Sequence, residues 1–257
     1  MGSTIFMIHG MWGGAWYWKN FRDFFEKNGF KCKTPYLRHH NVDPKKKPPK
    51  GLGKTGLIDY AADLEAEIKK LDEKPIIMGH SMGGLLALIL TGRNLAEAAV
   101  IITPAPPSGI NALKPSVLWS FAGPLLKLSW LGRPHRLSFN AAVYAMMHLL
   151  PPNEQKYIFE RSVAESGKAA REIGFWFVDW RTAARVKPSS VKCPLFVISG
   201  AEDRITPAKV VKKVACKYIH VAKYKEYPGH AHYIICEQGW KQVAEDIYQW
   251  LKCVRDL

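Results

Sequence analysis

The feature that most constrains the fold is the sequence Gly-His-Ser-Met-Gly at residues 79–83. It follows a short apolar run, 75–79, that predicts a buried strand, and it leads into a run rich in small residues, 82–91, that predicts a helix. A tight turn between a strand and a helix places Ser81 in a strained backbone conformation, and a side chain at either flanking glycine would crowd the neighbouring strand or helix. The turn therefore holds the Ser81 hydroxyl above the sheet, at a helix N-terminus whose free N–H groups favour negative charge.

Short apolar runs alternate with amphipathic segments along most of the chain. The runs predict strands at 4–10, 30–37, 75–79, 98–103, 194–200 and 223–227. The amphipathic segments predict helices at 16–28, 57–71, 82–91, 207–217 and 239–252. Because strands that alternate with helices favour a parallel sheet with right-handed crossovers, we expect an α/β fold with about six mainly parallel strands flanked by helices.

The alternation of strands and helices stops between the fourth and fifth predicted strands. Residues 108–188 hold no convincing strand, but they hold several amphipathic stretches rich in aromatic side chains. We interpret this segment as a helical cap, or lid, inserted into the fold; the alternative is a set of extra helices packed on the flank of the sheet. The predicted domains are therefore a core, 1–107 and 189–257, and a cap, 108–188.

Composition excludes several classes of protein. Of the 257 residues, 47% are apolar and 23% charged, which is typical of a globular chain and excludes a disordered or low-complexity one. The longest apolar run, 117–131, is interrupted by Lys127 and is too short for a stable membrane span. The net charge of +15 is spread along the chain, apart from the dense sequence Lys-Lys-Lys-Pro-Pro-Lys at 45–50. We expect a solvated loop there, with an anion site or a nucleic-acid contact as weaker alternatives.

The cysteines and the N-terminal residues indicate a cellular compartment. Five cysteines are scattered along the chain without a Cys-x-x-Cys pair, so neither a metal site nor a disulfide framework is expected. No basic segment precedes the first apolar run and no small-residue cleavage site follows it, so no secretory signal is expected. Isolated thiols are typical of a reducing compartment, and we expect a cytoplasmic protein.

A serine hydroxyl is inert near neutral pH unless a base activates it. The base is expected on the loop after the last strand, where Pro-Gly-His-Ala-His at 228–232 offers His230 and His232. An acid is expected on the loop after the preceding strand, where Glu202 and Asp203 lie. The chain then has the order serine, acid, histidine.

These motifs resemble the α/β-hydrolase superfamily, and the resemblance covers nearly the whole chain. The family pattern Gly-x-x-Asp-x-x-x-Pro fits residues 200–207 and implies Asp203 as the acid. A glutamate commonly follows the catalytic histidine of the family by five residues, and Glu237 has this spacing from His232. The resemblance therefore implies a catalytic triad of Ser81, Asp203 and His232, with His230 as the less favoured base.

The resemblance also implies an oxyanion hole. The family forms it from the N–H after the nucleophile, here Met82, and from an N–H on the loop after an early strand. The sequence His-Gly-Met-Trp-Gly-Gly at 9–14 looks like that loop, which implies Met11 as the second donor and Trp12 as the alternative. His9 is then expected to orient the loop through hydrogen bonds.

The activity implied is acyl transfer to water, with no metal and no organic cofactor. Trp12 and Trp16 in the pattern His-Gly-x-Trp-x-Gly-x-Trp resemble the small serine esterases of the superfamily. An aromatic cap at the position where the superfamily inserts its lid implies an apolar acyl or alcohol group. We expect an esterase that acts on small to medium apolar carboxylic esters as its small-molecule partner. The expected substrate contacts are Trp12, Trp119, Trp130, Tyr144 and Trp176.

Several other functions remain open at this stage. A lactonase or a thioesterase would use the same machinery, and the apolar run 117–131 with the basic surface is compatible with an interfacial lipase. Hydroxynitrile lyases of the superfamily replace the glycine found here at Gly10 and carry a lysine where this chain has Tyr233, so lyase chemistry is disfavoured. A receptor that binds a small ligand without turnover is the remaining alternative.

Overall fold

The computed structural model describes residues 3–111 and 114–255. The strands of the described part are β1 (Thr4–Ile8), β2 (Lys31–Lys33), β3 (Ile76–His80), β4 (Ala98–Ile102), β5 (Pro134–His135), β6 (Glu165–Ser166), β7 (Leu195–Gly200) and β8 (Ala222–Tyr227). Its α-helices are α1 (Lys19–Lys27), α2 (Leu57–Ile68), α3 (Met82–Gly92), α4 (Pro115–Ser120), α5 (Ala122–Leu126), α6 (Phe139–Ala142), α7 (Pro152–Arg161), α8 (Gly167–Gly174), α9 (Ala208–Lys217) and α10 (Trp240–Arg255). Short 3-10 or π turns occur at Ala15–Trp18, Leu52–Lys54, Ser129–Leu131, Val143–Met147, Trp176–Val178 and Pro188–Ser190.

Six of the strands form one parallel sheet in the order β2-β1-β3-β4-β7-β8. The central strands β3 and β4 are buried along their whole length, as expected of parallel strands covered on both faces. The edge strands β2 and β8 carry exposed charged side chains, among them Lys31, Lys33 and Lys223, which oppose pairing with another chain at an open edge. The prediction of an α/β fold with a six-stranded parallel sheet is confirmed.

Two predicted boundaries differ from the structure. The strand predicted over 30–37 ends at Lys33, because Pro35 lacks the N–H that a sheet ladder needs and the chain leaves the sheet before it. The segment 108–188, in which no strand was expected, contains the two-residue strands β5 and β6, which pair antiparallel. Two-residue strands are too short to produce the alternating pattern by which strands are recognised in a sequence.

The segment between β4 and β7, called the insertion below, holds α4–α8 and the β5–β6 ribbon. Several hydrogen bonds connect this insertion to the rest of the molecule, and three of them lie at or beside the ribbon. The N–H of Val163 donates to the carbonyl of Trp12 at 2.9 Å. The buried carboxylate of Glu165 accepts hydrogen bonds from the Tyr60 hydroxyl at 2.8 Å and from His40 Nε2 at 3.0 Å. The ribbon is therefore fixed against the β1 loop and against α2.

In the part of the chain that the structure describes, no helix is long and apolar enough to cross a membrane.

Candidate active site

Ser81 stands at a sharp turn between β3 and α3, with backbone angles φ 57° and ψ −122°. A positive φ is rare for a residue with a side chain, and the surrounding structure must enforce it. The flanking glycines allow this turn because the chain approaches itself closely: a Cβ at Gly79 would lie 2.1 Å from the carbonyl oxygen of Gly83, and a Cβ at Gly83 would lie 2.1 Å from that of Ile8. The crowding expected from the sequence is present on both sides of Ser81.

Backbone hydrogen bonds hold Ser81 from two directions. Its N–H donates to the carbonyl of Ile102 on β4 at 3.0 Å, and its carbonyl accepts the N–H of Ala105 at 2.9 Å. Ser81 is also the N-cap residue of α3. This helix is buried from Met82 to Thr91. The side chain is half-buried and lines a cavity, described below. The hydroxyl therefore lies at the positive end of a buried helix dipole.

Asp203 and His232 form a buried pair. The distance from Asp203 Oδ2 to His232 Nδ1 is 2.8 Å, and both side chains are almost completely shielded from solvent. The other carboxylate oxygen, Oδ1, accepts the N–H groups of Ile205 at 2.9 Å and Thr206 at 2.8 Å. Because its oxygens are held in this way, the carboxylate fixes the orientation of the imidazole ring.

Thr206 is a member of this group that the sequence analysis missed. Its hydroxyl lies 2.7 Å from Asp203 Oδ2, 3.2 Å from His232 Nδ1 and 3.0 Å from the carbonyl of Thr103. An aspartate whose side chain accepts backbone N–H groups just after it is a recognised turn pattern, and this turn brings Thr206 back against Asp203.

The sequence offers two candidates for the base and two for the acid, and the structure distinguishes between them. Glu202 is exposed, whereas Asp203 is buried against His232. His230 Nδ1 lies 3.2 Å from Glu237 Oε2, and the same oxygen accepts the N–H of Ala231 at 2.8 Å. The structure therefore brings His232, and not His230, against Asp203.

His9 orients the loop that follows β1. Its Nδ1 lies 2.8 Å from the carbonyl of Gly10, and its Nε2 accepts the N–H of Leu37 at 3.1 Å. Burial, together with the nearby His40, lowers the pKa of His9 to about 3, so the ring is neutral with a donor at Nδ1 and an acceptor at Nε2. The bond to Gly10 fixes the peptide unit that carries the N–H of Met11. Gly10 itself approaches the nucleophile closely, since a Cβ there would lie 2.8 Å from Ser81 Cβ.

His80 packs beneath the turn at Ser81 and supports the loop that carries His232. Its Nε2 lies 2.8 Å from the carbonyl of His232, and the centroids of the two rings are 4.8 Å apart. Burial and the neighbouring His232 lower the pKa of His80 to about 3. His80 is therefore a neutral donor that positions the backbone of His232.

A largely apolar cavity of about 100 Å³ opens over Ser81. Its wall combines the β1 loop, the turn at Ser81, the insertion and the loop after β7, with the apolar side chains Met11, Trp12, Met82, Val117, Leu118, Phe121, Trp130, Phe175 and Ile205. Met11 and Met82, the expected oxyanion donors, thus lie at the same cavity as Ser81.

Of the five expected substrate contacts, Trp12 and Trp130 line the cavity, whereas Trp119, Tyr144 and Trp176 lie outside its wall. Trp119 is 69% exposed, since α4 presents Val117 and Leu118 to the cavity instead, followed by Phe121 directly after the helix. Tyr144 packs against the guanidinium of Arg204, 4.8 Å from the ring centroid. Trp176 packs edge-on against Phe177. The aromatic content of the segment does not reveal which face of each helix is turned inward.

The parallel sheet and the serine at its strand–helix turn define a class of protein, and sequence comparison agrees. A family model described as alpha/beta hydrolase fold matches residues 3–238, and the chain belongs to this family. Among curated proteins, the monoacylglycerol lipase of Mycolicibacterium smegmatis is 25% identical over 180 residues, which are 68% of this chain and 61% of that protein. Protein ABHD8 of Homo sapiens is 23% identical over 221 residues, which are 82% of this chain and 47% of ABHD8. The chain thus spans about half the length of the curated relatives it matches.

Solved structures show the same fold. The methylesterase MES16 from Arabidopsis superposes with a TM-score of 0.72 at 13% identity, covering 97% of this chain and 99% of that one. The monoacylglycerol lipase of Paleococcus ferrophilus superposes with a TM-score of 0.71 at 21% identity, covering 98% and 96%. Identities this low show likeness of fold alone.

Proposed function

We propose that the protein is a serine hydrolase that cleaves carboxylic esters of small to medium apolar substrates. The observation that carries the proposal is the strained turn that presents Ser81 to an apolar cavity, together with the buried Asp203–His232 pair, whose histidine carbonyl is hydrogen-bonded to His80, the residue before Ser81. Relatives and structural neighbours named esterases and monoacylglycerol lipases support hydrolysis of this type. The catalytic roles of Ser81, Asp203 and His232 are part of the proposal.

In the proposed first step, Ser81 Oγ attacks the ester carbonyl carbon while its proton moves to His232. Because Asp203 holds Nδ1, Nε2 is the nitrogen that accepts this proton, and the carboxylate stabilises the imidazolium that results. The carbonyl oxygen becomes an oxyanion, which the N–H groups of Met11 and Met82 bind; one such donor contributes about 10²–10³ in rate. The intermediate collapses when the ester C–O bond breaks and the leaving alcohol takes the proton from His232.

The second step releases the acid. Water enters the cavity after the alcohol has left, and His232 takes a proton from it as its oxygen attacks the acyl carbon. The bond to Ser81 Oγ then breaks, His232 returns the proton to Ser81, and the carboxylic acid departs. The same base and the same oxyanion donors serve both steps.

The size of the cavity favours short groups. An engineered cavity of about 150 Å³ admits benzene, whereas the cavity over Ser81 has about 100 Å³. We therefore expect short acyl chains to be preferred over long ones. Lactones and thioesters of similar size present the same kind of carbonyl and belong to the same proposal.

A second candidate is a lipase that acts at a lipid–water interface. It is favoured by a group of exposed apolar side chains on the insertion: Leu118, Trp119, Leu126, Leu128, Leu131, Phe177, Val178 and Trp180. Exposed apolar patches commonly mark surfaces that contact a membrane or another protein.

The experiment that tests the proposal is hydrolysis of p-nitrophenyl esters from acetate to laurate. We expect turnover by the native protein and a loss on the order of 10⁶ in kcat for Ser81→Ala, because the nucleophile is gone. Ser189→Ala, which removes an exposed serine hydroxyl remote from the cavity wall, should leave the rates unchanged. Equal inactivity of the native protein and Ser81→Ala on every ester would leave small-ligand binding as the function to test next.

Two sequence expectations remain proposals alongside this function. One is the division into a core, 1–107 and 189–257, and a cap, 108–188. The other is a cytoplasmic location, suggested by the scattered cysteines. Burial raises the pKa of Cys32 to about 12 and that of Cys193 to about 11, which disfavours the thiolate form of both side chains at neutral pH.

A further inference from the structure

A groove of about 610 Å³ lies between α7 of the insertion and the segment that contains the turn Ala15–Trp18 and the start of α1. It shares no lining residue with the cavity over Ser81. One of its walls is a single face of α7, because the lining residues Glu154, Tyr157, Ile158 and Arg161 recur at helical spacing. The groove is therefore a second concave surface, separate from the candidate active site.

Four aromatic side chains of the groove have accessible surface. Tyr36 is 40% exposed and Tyr157 is 57% exposed, whereas Trp16 and Trp240 are half-buried. They come from both walls, since Tyr157 belongs to α7 and the other three belong to the core. Aromatic side chains offer flat apolar surface and favourable contacts to another ring. The groove therefore suits a ligand that carries a planar ring.

Arg161 is held in the groove by two of these rings. Its guanidinium carbon lies 5.0 Å from the ring centroid of Trp16 and 5.2 Å from that of Tyr157. The side chain is exposed, and no ion pair or hydrogen bond among residues 3–111 and 114–255 involves its guanidinium. Contacts with ring faces leave the N–H donors of a guanidinium without an acceptor. Such a fork matches a carboxylate, which it binds through two parallel hydrogen bonds.

The other charged groups of the groove also favour a ligand with one negative charge. Lys19 and Arg22 line the groove, and both pair with Asp23, at 2.7 Å and 3.3 Å, so one of these two charges is neutralised. Glu154 is the one acid among the described lining residues, and it lies seven residues before Arg161, about 10 Å along α7. With Asp23 and Glu154 included, the net charge of these groups is still positive, which attracts an anion.

We propose that this groove binds a small aromatic carboxylate, with the carboxylate on the guanidinium of Arg161 and the ring against the surrounding aromatic side chains. A carboxylate is favoured over a phosphate because one unpaired guanidinium balances one charge, whereas a phosphate monoester carries nearly two. The proposal does not depend on ester hydrolysis, since the groove and the cavity over Ser81 have no wall residue in common.

The test measures binding by isothermal titration calorimetry with ligands that differ in one property at a time. The compounds 2-naphthoate, 2-naphthamide and 2-naphthylmethylammonium share a ring system and carry a negative, a neutral and a positive group. We expect 2-naphthoate to bind about 10- to 100-fold more tightly than the amide, because a hydrogen bond between charged groups replaces a neutral one, and the ammonium not to bind. Benzoate should bind about two- to tenfold more tightly than cyclohexanecarboxylate, which has the charge but no aromatic ring.

Variants assign the binding to the groove. Arg161→Gln should weaken 2-naphthoate binding about 10- to 100-fold and remove the preference over the amide. Tyr157→Leu should weaken binding about two- to tenfold, and Tyr157→Phe, which keeps the ring, should restore it. Arg181→Gln is the matched control: the Arg181 guanidinium lies 5.8 Å from the ring centroid of Trp180, outside the groove, so this variant should bind as the native protein does. Circular dichroism establishes that each variant is folded.

Three results would overturn the proposal. Equal affinity for 2-naphthoate and 2-naphthamide, or no binding of 2-naphthoate at millimolar concentration, would refute it on the native protein alone, whether or not the variants fold. Native affinity in folded Arg161→Gln would mean that the compound binds elsewhere, including the cavity over Ser81. Tighter binding of phenyl phosphate than of benzoate would assign the groove to a phosphate instead. Because no turnover is measured, inactivity toward esters would count against the proposed function and not against this site.

Discussion

At the scale of single residues, Thr206 shows how one hydroxyl can contact both members of the Asp203–His232 pair. It donates to Asp203 Oδ2 while lying within 3.2 Å of His232 Nδ1. Thr206 therefore restrains both oxygens of the carboxylate: its hydroxyl binds Oδ2, and its own N–H binds Oδ1. We assign it as a positioning residue for the proposed base.

Replacing Thr206 by valine keeps the branched shape and removes the hydroxyl. A hydrogen bond to a charged group contributes about 1.5–3 kcal/mol, so we expect kcat on p-nitrophenyl butyrate to fall about 10- to 100-fold with little change in KM. The pH profile of kcat/KM should shift as well, because the carboxylate loses a donor. Thr91→Val is the matched control, because it removes a buried hydroxyl that donates to the carbonyl of Ala87 at the opposite end of α3 from Ser81. A rise in KM with unchanged kcat would assign Thr206 to substrate binding instead.

At the scale of elements, the packing of α3 on β3 and β1 depends on the absence of side chains at the turn. Gly79→Ala would force a Cβ to within 2.1 Å of a backbone oxygen, so we expect a loss of about 1–3 kcal/mol in the free energy of unfolding and a loss of esterase activity. Gly123→Ala on α5 is the matched control. A Cβ there meets nothing within 4 Å, and alanine should stabilise the helix by about 0.5–1 kcal/mol. Urea unfolding measures the free energy of unfolding of both variants. The close approach at Gly79 would be contradicted if Gly79→Ala cost no more stability than Gly123→Ala.

The β5–β6 ribbon depends on the buried Glu165–His40 pair. Burial opposes charge on both groups, but each partner outweighs it: His40 lowers the pKa of Glu165, and Glu165 raises that of His40. The lowered pKa of Glu165 gives stability that is present above its ordinary value of 4.5 and lost as the pH falls through its folded value. The raised pKa of His40 gives stability that is complete below its ordinary value of 6.5 and lost as the pH rises through its folded value. The pair therefore stabilises the protein most between those two values.

Glu165→Gln tests this pH dependence. Breaking a buried ion pair costs about 3–5 kcal/mol, so we expect the variant to be destabilised by that order at pH 5.5. The difference in unfolding free energy between native protein and variant should be smaller at pH 9 than at pH 5.5, because a rising pH favours loss of the His40 proton and with it the ion pair. Urea titrations at the two pH values measure it. A difference that does not change with pH would mean that Glu165 acts through its hydrogen bonds to Tyr60 and Ser166 rather than through charge.

The sequence predicted elements well where the signal is local. The apolar runs, the glycines around Ser81 and the motif around Asp203 at 200–207 are each encoded within a few residues. The lining of the cavity is not, because Met11, Val117, Phe175 and Ile205 meet only after four distant segments have packed. His135, which also lines the cavity, lies in a two-residue strand with no periodic pattern, so nothing in the sequence marked it.

At the scale of the whole molecule, the two proposed functions differ in how substrate reaches the cavity. An esterase takes dissolved substrate directly, whereas an interfacial lipase becomes active when it binds a lipid surface. The cavity over Ser81 already opens to the surface, although the insertion also exposes Leu126 by 84% and Trp180 by 89%. Since the insertion does not have to move away before substrate enters, no activation by an interface is expected. We expect the rate of tributyrin hydrolysis to rise smoothly with tributyrin concentration and to saturate below the solubility limit. Leu126→Ser and Trp180→Ser should then leave the rate on dissolved substrate unchanged. A sharp rise in rate once droplets form, lost in these two variants, would instead assign the exposed side chains to binding at an interface and favour the lipase.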